Sequence, residues 1–575
     1  MEDIIRLNQS NCKNCYKCIR NCPVKSIAYR DEQAHIIGDE CIYCGNCLLI
    51  CPQNAKSVNS DLPKIKSAIA AGEKLYVSLA PSYIAAFPQS GILEISAALK
   101  KLGFVHVEET AIGAEQVTRE YEKLIKKHRM KNIITSSCPS VNLLIEKHYP
   151  ALIPQLAPVV TPVIAHSHMM KQIYGIRTKI VFIGPCISKK FECDDPDNGN
   201  SLFAVLTFDE LEKWFAEEEV ILSKPDRNGR TLSNTLPRFY PAPGGIIKNL
   251  QPELRKTYEC LSIDGVDRCI ETLDSILQDR LSGYFLELNA CAGGCLGGPA
   301  MRMMRTNFLT SKDILIKNVK RRNEAPPALT EGVAAQFSKK YHTRAGRKVH
   351  VDEEEIRKVL ASTGKTSPEK ELNCGCCGYN TCREKAIAVI QGKADIRMCI
   401  PYMRELAEST SNTVVENTPT GVLIINDSMQ IEHFNPAASQ LLDLNEDSIH
   451  QPIRKILPSD DFEEAQSNGK NVLHHRQSYP DRGLILEQTI VPVKDSRLMF
   501  VLLKDVTSEE ALRKNHLRMA AETAAFAHEV VNKQMRVVQE ITNLLGETTA
   551  ETKVALLQLT NNIVSKEEKD HDGSH

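Results

Sequence analysis

The sequence lacks long apolar runs, an excess of charge of either sign and an abundance of aromatic residues. Its longest apolar candidate, residues 151–165, contains several prolines and is shorter than the roughly 18 residues that a membrane-spanning helix needs. Residues 1–6 are charged and lead straight into a cysteine motif, which is unlike a signal peptide. The net charge of -1 gives no electrostatic reason to expect nucleic acid or an acidic membrane as a partner. We therefore expect a cytoplasmic protein that binds neither nucleic acid nor membrane.

Cysteine, in contrast, is abundant. The chain of 575 residues contains 20 cysteines but only 15 Phe, 15 Tyr and one Trp, which offers no aromatic platform for nucleic-acid bases. In a reducing compartment this many thiols indicates metal sites rather than disulfides. Eight cysteines lie before residue 52 and five lie between 374 and 399. The length favours several domains, roughly three to five, and we expect a multidomain fold that combines the α/β and α+β classes.

The first 60 residues contain one cysteine spacing twice. Each copy reads C-x2-C-x2-C-x3-C-P, the run with which bacterial ferredoxins hold [4Fe–4S] clusters, and the fourth cysteine of each run ligates the other cluster. We therefore predict one cluster on Cys12, Cys15, Cys18 and Cys51, and a second on Cys41, Cys44, Cys47 and Cys22. Zinc is an alternative for any single pair. Two complete copies with a trailing proline favour an electron-conducting, ferredoxin-like domain over residues 1–60.

Residues 61–355 alternate short apolar runs with amphipathic segments, which is typical of an α/β domain with mainly parallel strands. Sites in such sheets collect in loops at the carboxyl ends of the strands. Three of these loops contain Cys138, Cys186, Cys291 and Cys295. From spacing alone the four cysteines fit a [4Fe–4S] site, a zinc site or a set of buried structural thiols.

The three loops resemble the signature loops of [FeFe] hydrogenases, whose patterns are T-S-C-C-P, M-P-C-x-x-K and E-x-M-A-C-x-x-G-C-x-x-G-G. The matching segments are residues 135–139, 184–189 and 287–299, and the resemblance covers roughly residues 1–310. It implies that the four cysteines hold a [4Fe–4S] cluster. It also implies that Cys295 bridges to a diiron subcluster with CO, cyanide and azadithiolate ligands, which completes the H-cluster. Lys189 matches the family lysine that hydrogen-bonds one cyanide, and Ala80, Pro81 and Ser82 match the turn beside the other.

The surroundings of these cysteines depart from the family pattern. Ser137 stands where the family has a cysteine that passes protons to the diiron site, and Gly184 and Asn289 replace methionines. Tyr121 and Leu124 stand where proton-relay glutamates are usual. A serine hydroxyl is a much weaker acid than a thiol, and leucine cannot relay a proton. We expect slow turnover, a different proton route, or a cluster used mainly to bind and report H2.

A third cysteine set defines a further domain, residues 356–408. Cys374, Cys377, Cys382 and Cys399 follow the spacing C-x2-C-x4-C-x16-C-x-P, with a helix-like stretch at 383–393 between the last two. This segment resembles the small four-cysteine [4Fe–4S] domain found beside several redox proteins, and zinc is the alternative. Cys376 is a spare thiol here. We interpret the remaining three, Cys193, Cys260 and Cys269, as structural thiols.

The cysteines stop after residue 410, and the order of strands and helices then resembles a PAS domain over residues 409–507. Predicted strands at 421–427, 430–434, 484–493 and 498–504 lead to a closing Asp505-Val506-Thr507. We find no haem or flavin signature, and ligand sensing and subunit pairing are both open roles. Residues 508–575 are predicted to form a helical signalling or dimerisation tail. Its apolar stripe consists of Val531, Met535, Val538, Ile541 and Leu545.

Together these patterns favour an iron–sulfur protein that binds H2 and slowly interconverts it with protons and electrons. Cys295, Lys189 and Ser137 are its expected catalytic residues. The appended PAS domain and tail favour an H2 or redox sensor that signals to a kinase or phosphatase and forms a homodimer. One alternative is a catalytic hydrogenase subunit that exchanges electrons with ferredoxin or another Fe–S subunit. A second is a non-catalytic Fe–S regulator without the diiron unit.

Overall fold

The computed structural model describes residues 4–223, 236–320, 336–346, 351–458, 460–493, 497–542 and 556–559. Contacts divide the chain into two compact units, residues 1–403 and 404–575. Within the described ranges, none of the helices combines the length and apolar character needed to cross a membrane.

The N-terminal cysteine repeats fold around two small antiparallel strand pairs. Ile5–Leu7 pairs with Lys56–Val58, so the two ends of this segment meet, and Ile27–Arg30 pairs with Gln33–Ile36 between the repeats. Two one-turn helices, Lys17–Arg20 and Asn46–Leu49, each contain a cysteine of the motif. Buried isoleucine and leucine side chains fill the interior of this small domain.

The following domain is built on two parallel sheets. The first has the strand order His106–Glu109, Leu75–Leu79, Lys179–Gly184, Ala204–Thr207, and the second has the order Glu259–Asp264, Tyr284–Asn289, Ile133–Ile134. The central strands are apolar almost throughout because both of their faces are covered by helices. The helices of eight or more residues are Leu62–Ala70, Ile92–Lys101, Ala111–Lys127, Pro139–His148, Pro162–Tyr174, Phe208–Glu217, Val266–Leu277 and Phe308–Lys320. Shorter helices are Tyr83–Ala86, Ser188–Asp194, Gly245–Asn249 and Pro299–Met303.

The third cysteine set lies between short helices that pack on the ferredoxin-like domain. The helices are Glu353–Ser362 and Cys382–Ile390, the second of which is shorter than the predicted 383–393 because Gln391 and Gly392 form its C-terminal turn. Tyr29 N donates to Lys393 O at 2.8 Å, and Arg30 Nε donates to Gly392 O at 2.8 Å. The helix Ile400–Asn417 follows and runs through the predicted boundary between residues 408 and 409.

The second unit contains a five-stranded antiparallel sheet in the order Ile431–Phe434, Gly421–Asn426, Leu498–Asp505, Leu484–Val493, Val472–Tyr479. The helices Pro436–Leu442 and Asp460–Asn468 pack on it. The strand Val472–Tyr479 was absent from the prediction, because its mostly polar, exposed residues give no alternation of apolar and polar positions. Asn435 is fully buried, and its side chain accepts a hydrogen bond from Ala438 N at the start of the first helix.

The tail forms one long helix, Thr507–Thr542. Val531 and Met535 are half-buried on it, whereas Ile541 is exposed. The last member of the predicted stripe, Leu545, lies outside the described residues.

Candidate metal centres and active site

The three cysteine loops converge on one cavity of about 890 Å³. Cys186 and Cys291 each follow a strand directly, after Lys179–Gly184 and Tyr284–Asn289, and Cys138 caps the helix Pro139–His148. Cys295 lies in the short turn Gly294–Gly297, where Gly294 has φ +63° and a Cβ would lie 2.5 Å from Pro241 O. All four predicted cysteines line the cavity. The carboxyl ends of parallel strands therefore bring together residues that are far apart in the sequence.

Burial makes three thiols of this cavity poor acids. Burial first, and then the neighbouring Cys138, raise the pKa of Cys186 to about 11. The pKa values of Cys291 and Cys295 are also raised, first by burial and then by the other thiols of the set. Thiolates in such a place need a positive partner, and metal ions bind the thiolate form. The donor set therefore fits a thiolate-bound cluster.

The turn Ala80-Pro81-Ser82 lines the same cavity, beyond the end of the strand Leu75–Leu79. Ser82 is fully buried, and within the described part of the chain its hydroxyl has no hydrogen-bond partner. A buried hydroxyl without a partner costs free energy of the order of 1–3 kcal/mol. This serine therefore fits a site in which a bound group supplies an acceptor.

Lys189 also lines the cavity and is 7% exposed. Its ammonium donates to Glu192 Oε2 at 2.5 Å and to Thr161 Oγ1 at 2.9 Å. A lysine has three N–H donors, so a third can face a ligand in the cavity. Glu192 and Thr161 hold the cation in position, and neither was identified from the sequence.

Ser137 lines the cavity beside Cys138, and its hydroxyl lies 2.9 Å from the Tyr121 hydroxyl. Tyr121 is fully buried, which raises its pKa. Its hydroxyl also lies 3.3 Å from Ser136 Oγ and accepts a hydrogen bond from Ser136 N. Leu124, one turn further along the helix Ala111–Lys127, packs against the apolar core. At the two positions where the family has relay glutamates, this chain therefore has a weak acid, Tyr121, next to Ser137, and an apolar side chain, Leu124, in the core.

The two positions where the family has methionines, Gly184 and Asn289, have different surroundings. A Cβ on Gly184 would overlap the ring of Phe182 and lie 2.9 Å from Ala80 Cβ, so the Phe182 ring occupies the space of a larger side chain and lines the cavity instead. Asn289 lines the cavity, and its amide lies 3.4 Å from Glu287 Oε1.

Burial raises the pKa of Glu287 to about 7 although Ile247 N and Gly244 N donate to this carboxyl group.

The ferredoxin-like repeats form two further cysteine-lined cavities. One, of about 420 Å³, is lined by Cys12, Cys15, Cys18 and Cys51, and the other, of about 330 Å³, is lined by Cys22, Cys41, Cys44 and Cys47. Each cavity thus receives three cysteines from one repeat and the fourth from the other, the crossed arrangement expected from the motif. Burial raises the pKa of Cys44 to about 12 and that of Cys41 to about 11.

The third set lines a cavity of about 520 Å³ in the 356–408 region, with Cys374, Cys377, Cys382 and Cys399 around it and the spare Cys376 beside them. Lys365 Nζ donates to Cys399 Sγ at 3.5 Å. Among the residues that the structure describes, no three His, Cys, Asp or Glu side chains lie close enough to hold a single metal ion. The remaining thiols stand apart: Cys269 is buried in a core, and Cys193 and Cys260 pack against another.

The ferredoxin-like domain contacts the main cavity through its second cysteine set. A Cβ on Gly45, which lies between Cys44 and Cys47, would meet Pro299 Cγ at 2.6 Å and Ile187 Cδ1 at 2.9 Å, and both of these residues belong to the cavity loops. Lys147 Nζ donates to Gly38 O and Cys41 O, each at 2.8 Å. Tyr43 stacks on Phe191 with ring centroids 5.3 Å apart. The second set is therefore adjacent to the four-cysteine cavity.

Four family models match successive parts of the chain. The model described as "Iron only hydrogenase large subunit, C-terminal domain" matches residues 73–299, and a "4Fe-4S dicluster domain" matches residues 4–52. A "Putative Fe-S cluster" model matches residues 371–401, and a "PAS domain" model matches residues 410–475. The matches support iron–sulfur cofactors in three parts of the chain.

The named relatives that match this chain are hydrogenases. Iron hydrogenase 1 of Clostridium pasteurianum is 24% identical over 385 residues, which span 54% of this chain and 67% of that protein. The NADP-reducing hydrogenase subunit HndD of Solidesulfovibrio fructosivorans is 25% identical over 325 residues, 45% of this chain and 55% of that protein. A solved structure of [FeFe]-hydrogenase HydA1 from Chlamydomonas reinhardtii is 16% identical with a TM-score of 0.36, covering 50% of this chain and all of that one. The chain thus matches about half to two thirds of the length of these curated relatives. It is an [FeFe] hydrogenase-like iron–sulfur protein that carries a PAS domain.

Proposed function

We propose that this chain binds H2 at a hydrogenase-type H-cluster, interconverts it slowly with protons and electrons, and thereby acts as an H2 or redox sensor. The observation that carries the proposal is the composition of one cavity. Four half-buried cysteines, the ammonium of Lys189 and the unpartnered hydroxyl of Ser82 all line it. A cation and hydrogen-bond donors around thiolates suit an anionic metal group.

In this proposal Cys138, Cys186, Cys291 and Cys295 would hold the [4Fe–4S] part of the H-cluster, and Cys295 would also be the ligand next to its diiron part with CO, cyanide and azadithiolate ligands. When bound, the diiron group supplies the redox centre at which H2 reacts. Lys189 donates to one anionic ligand, with its position fixed by Glu192 and Thr161. Ala80, Pro81 and Ser82 form another part of the cavity wall, where the Ser82 hydroxyl would gain its acceptor.

Three further [4Fe–4S] clusters complete the proposed cofactor set, two in the ferredoxin-like domain and one on Cys374, Cys377, Cys382 and Cys399. The second ferredoxin-like set adjoins the main cavity through Gly45. The third set adjoins the ferredoxin-like domain, where Lys25 Nζ donates to Gly378 O at 2.7 Å and Tyr379 packs with Ile19. These contacts support a continuous route for electrons between the cavity and a redox partner such as ferredoxin or another Fe–S subunit.

Slow turnover follows from the residues beside the cavity. Proton transfer by a well-placed acid or base contributes roughly 10²–10⁴-fold to a rate. Ser137 is a very weak acid, and its neighbour Tyr121 is fully buried with a raised pKa. The inferred site thus keeps the groups that bind the cluster and has weak groups where the usual proton relay stands.

The sensory role rests on the second unit, taken by itself. It combines a PAS domain with the helix Thr507–Thr542, on which Leu517, Met519 and Phe526 are 57, 61 and 68% exposed. Large apolar side chains on an exposed helix suit a partner helix. We infer a homodimer through this region and a kinase or phosphatase as the signalling partner.

The adjoining cysteine sets also suit a catalytic subunit that exchanges H2-derived electrons with ferredoxin. The rate of H2 turnover distinguishes this catalytic role from the sensory one. The full chain is reconstituted with iron and sulfide, loaded with a synthetic diiron cofactor and exposed to H2. Electron paramagnetic resonance should then show reduced [4Fe–4S] signals that accumulate at less than about one turnover per second, at the low end for enzymes. Cys295→Ala, matched for remaining iron content, should stay oxidised.

Rates of about 10²–10³ per second with ferredoxin would favour the catalytic subunit instead. If H2 did not reduce the loaded chain at all, both roles would be contradicted. The remaining hypothesis would then be a non-catalytic Fe–S regulator that has no diiron unit.

A further inference from the structure

A line of hydrogen bonds leads away from the cavity at Thr110 and includes none of the contacts of Ser137. Thr110 lines the cavity, and its hydroxyl lies 2.7 Å from Ser78 Oγ. Ser78 Oγ lies 2.8 Å from His166 Nδ1. Ser78 and His166 are both fully buried, so these contacts are shielded from solvent. The cavity wall is thus connected to a buried imidazole through two hydroxyl groups.

The same line continues from the imidazole to the surface. His166 Nε2 lies 3.0 Å from Glu108 Oε2, and Glu108 Oε1 lies 2.9 Å from His106 Nε2. Tyr174 donates to the same Glu108 oxygen at 2.5 Å. The side chain of His106 is 39% exposed and that of Glu108 is 19% exposed. Every link between Thr110 and His106 is 3.0 Å or shorter, within ordinary hydrogen-bond distance.

Three elements hold the line together. Ser78 is on the central strand Leu75–Leu79, and Glu108 and His106 are on the neighbouring strand His106–Glu109. His166 and Tyr174 are on the helix Pro162–Tyr174, which packs on the helix Ala111–Lys127 at Gly113, where a Cβ would lie 2.7 Å from His166 N. The close helix packing fixes the backbone of His166 and so places its imidazole between Ser78 and Glu108.

The acceptors fix the direction of the hydrogen bonds. A carboxylate accepts only, so His166 Nε2 carries the hydrogen that is donated to Glu108, and Nδ1 is the acceptor of the neutral ring. Ser78 then donates to Nδ1 and accepts from Thr110. Because Thr110 uses its hydrogen as the donor to Ser78, the lone pairs of Thr110 Oγ1 can accept a proton from the cavity.

The hydrogen bonds from Ser137 make a contrast. They lead to Tyr121 and Ser136, and Ser136 Oγ donates to Val159 O at 2.7 Å. The Tyr341 hydroxyl also donates to Val159 O. A carbonyl oxygen cannot pass a proton on. Within the described residues this branch therefore ends inside the protein.

We propose that Thr110, Ser78, His166 and Glu108 form the proton route of this protein, which connects the cavity to solvent at His106 and Tyr174. The inference rests on the proposed function, since only a site that makes or consumes protons needs such a route. It assigns the proton transfer to a different wall of the cavity from the one that Ser137 occupies.

The transfer balances without any further reactant. A proton from the cavity binds Thr110 Oγ1 as the Thr110 hydrogen moves to Ser78 Oγ, the Ser78 hydrogen moves to His166 Nδ1, and the Nε2 hydrogen moves to Glu108. Glu108 then releases one proton to solvent past His106. Rotation of the two hydroxyl groups, together with rotation of the imidazole and transfer of its hydrogen from Nδ1 back to Nε2, resets the line, and uptake runs in the opposite direction.

The test uses the loaded full chain and infrared spectroscopy rather than turnover alone. The variants are His166→Gln and Glu108→Gln, with His168→Gln as the matched control, because His168 lies on the same helix but bonds Gln336 O and Ser201 Oγ instead. After a rapid change of pH under H2, the rate at which the CO and cyanide bands convert between protonation states is followed. A second readout is the ring tautomer of His166 in [15N]histidine-labelled protein before the diiron unit is added.

We expect identical end-point bands in all variants, with conversion slowed by about tenfold or more in His166→Gln and Glu108→Gln and unchanged in His168→Gln. Glu108→Gln should also shift the His166 tautomer signal. Conversion at the wild-type rate in both His166→Gln and Glu108→Gln would overturn the route while leaving the proposed function intact, and so would equal slowing in His168→Gln. Absence of the bands in the wild type would overturn the proposed function and the route with it.

Discussion

At the scale of single residues, the chemistry of the cavity depends on which side chains adjoin the four cysteines. The 2.9 Å contact between the Ser137 and Tyr121 hydroxyls puts two weak acids where a thiol and a carboxyl group would relay protons quickly. The buried pair Lys189 and Glu192 adds a fixed cation to the opposite side. These two pairs give separate predictions for proton transfer and for binding of the diiron group.

Ser137→Cys should raise H2 turnover. A thiol ionises near pH 8.5, so it can pass protons that a serine hydroxyl cannot. The gain should stay below about tenfold, because the hydrogen bonds behind Tyr121 end at Val159 O and a full relay contributes more than that. H2 production with a chemical reductant checks the prediction. Ser136→Cys is the control, since Ser136 contacts Tyr121 without lining the cavity, and a Ser137→Cys variant no faster than wild type would contradict the argument.

Lys189→Gln should prevent retention of the diiron group and lower stability. Removing the cation leaves Glu192 buried without its ion-pair partner, which costs about 3–5 kcal/mol. Lys190→Gln is a matched control, because Lys190 is equally buried and its partner is Glu210. Both variants should lower the melting temperature, but only Lys189→Gln should lose the infrared bands. Loss of the bands in both would mean that folding, rather than the cavity cation, is responsible.

The ferredoxin-like cysteine sets could be predicted from the sequence because motif spacing is local, whereas the four cysteines of the main cavity were assigned from the resemblance of their three loops. The side chains that hold Lys189 could not all be recognised, since Thr161 lies 28 residues away and reaches the ammonium only through the fold. The position of Phe182 in the cavity wall could not be predicted from the sequence either, because its ring occupies space that is free only since residue 184 is a glycine.

At the scale of secondary structure, one glycine controls the docking of the third cysteine set on the ferredoxin-like domain. Gly378 has φ +97°, and a Cβ there would lie 3.0 Å from Ile19 Cγ2 and 3.1 Å from Arg20 N. The helix Lys17–Arg20 therefore packs directly against this backbone. The contact is close because the third set approaches the ferredoxin-like domain at a position without a side chain.

Gly378→Ala should loosen this docking. Gly392→Ala is the matched control, because Gly392 has φ +67° but a Cβ there would have, among the described residues, a single neighbour within 4 Å, Arg30 Nη2 at 3.8 Å. Both substitutions carry the backbone cost of a left-handed conformation, about 1–2 kcal/mol. Only Gly378→Ala should speed hydrogen exchange in both Cys382–Ile390 and Lys17–Arg20 and slow electron transfer between the sets. Equal exchange in the two variants would argue against close packing at Ile19.

Elements with a strong pattern were predicted well, and weakly patterned ones were not. The strands that precede Cys186 and Cys291 are apolar and buried, and their loops were found at the expected strand ends. The strand Val472–Tyr479 was missed because its side chains are mostly exposed and polar, so that pairing with Leu484–Val493 rather than burial defines it.

At the scale of the whole molecule, four cysteine-lined sites adjoin one another within residues 1–403. The main cavity adjoins the second ferredoxin-like set at Gly45, and the ferredoxin-like domain adjoins the third set at Gly378. The separate domains were visible in the sequence because each has its own motif, but the contact between the third set and the ferredoxin-like domain was not. The hydrogen-bonded line from Thr110 to His106 was not, since its members come from two strands and a helix that only the sheet brings together.

The central claim is that the cavity of Cys138, Cys186, Cys291 and Cys295 holds a diiron group that responds to H2. The most direct test is infrared spectroscopy of the full chain after anaerobic loading with a synthetic diiron cofactor. We predict CO and cyanide bands that shift when H2 is admitted, that persist in Cys193→Ala and that are absent in Cys295→Ala. A loaded wild-type chain without these bands, or with bands that H2 leaves unchanged, would contradict the claim.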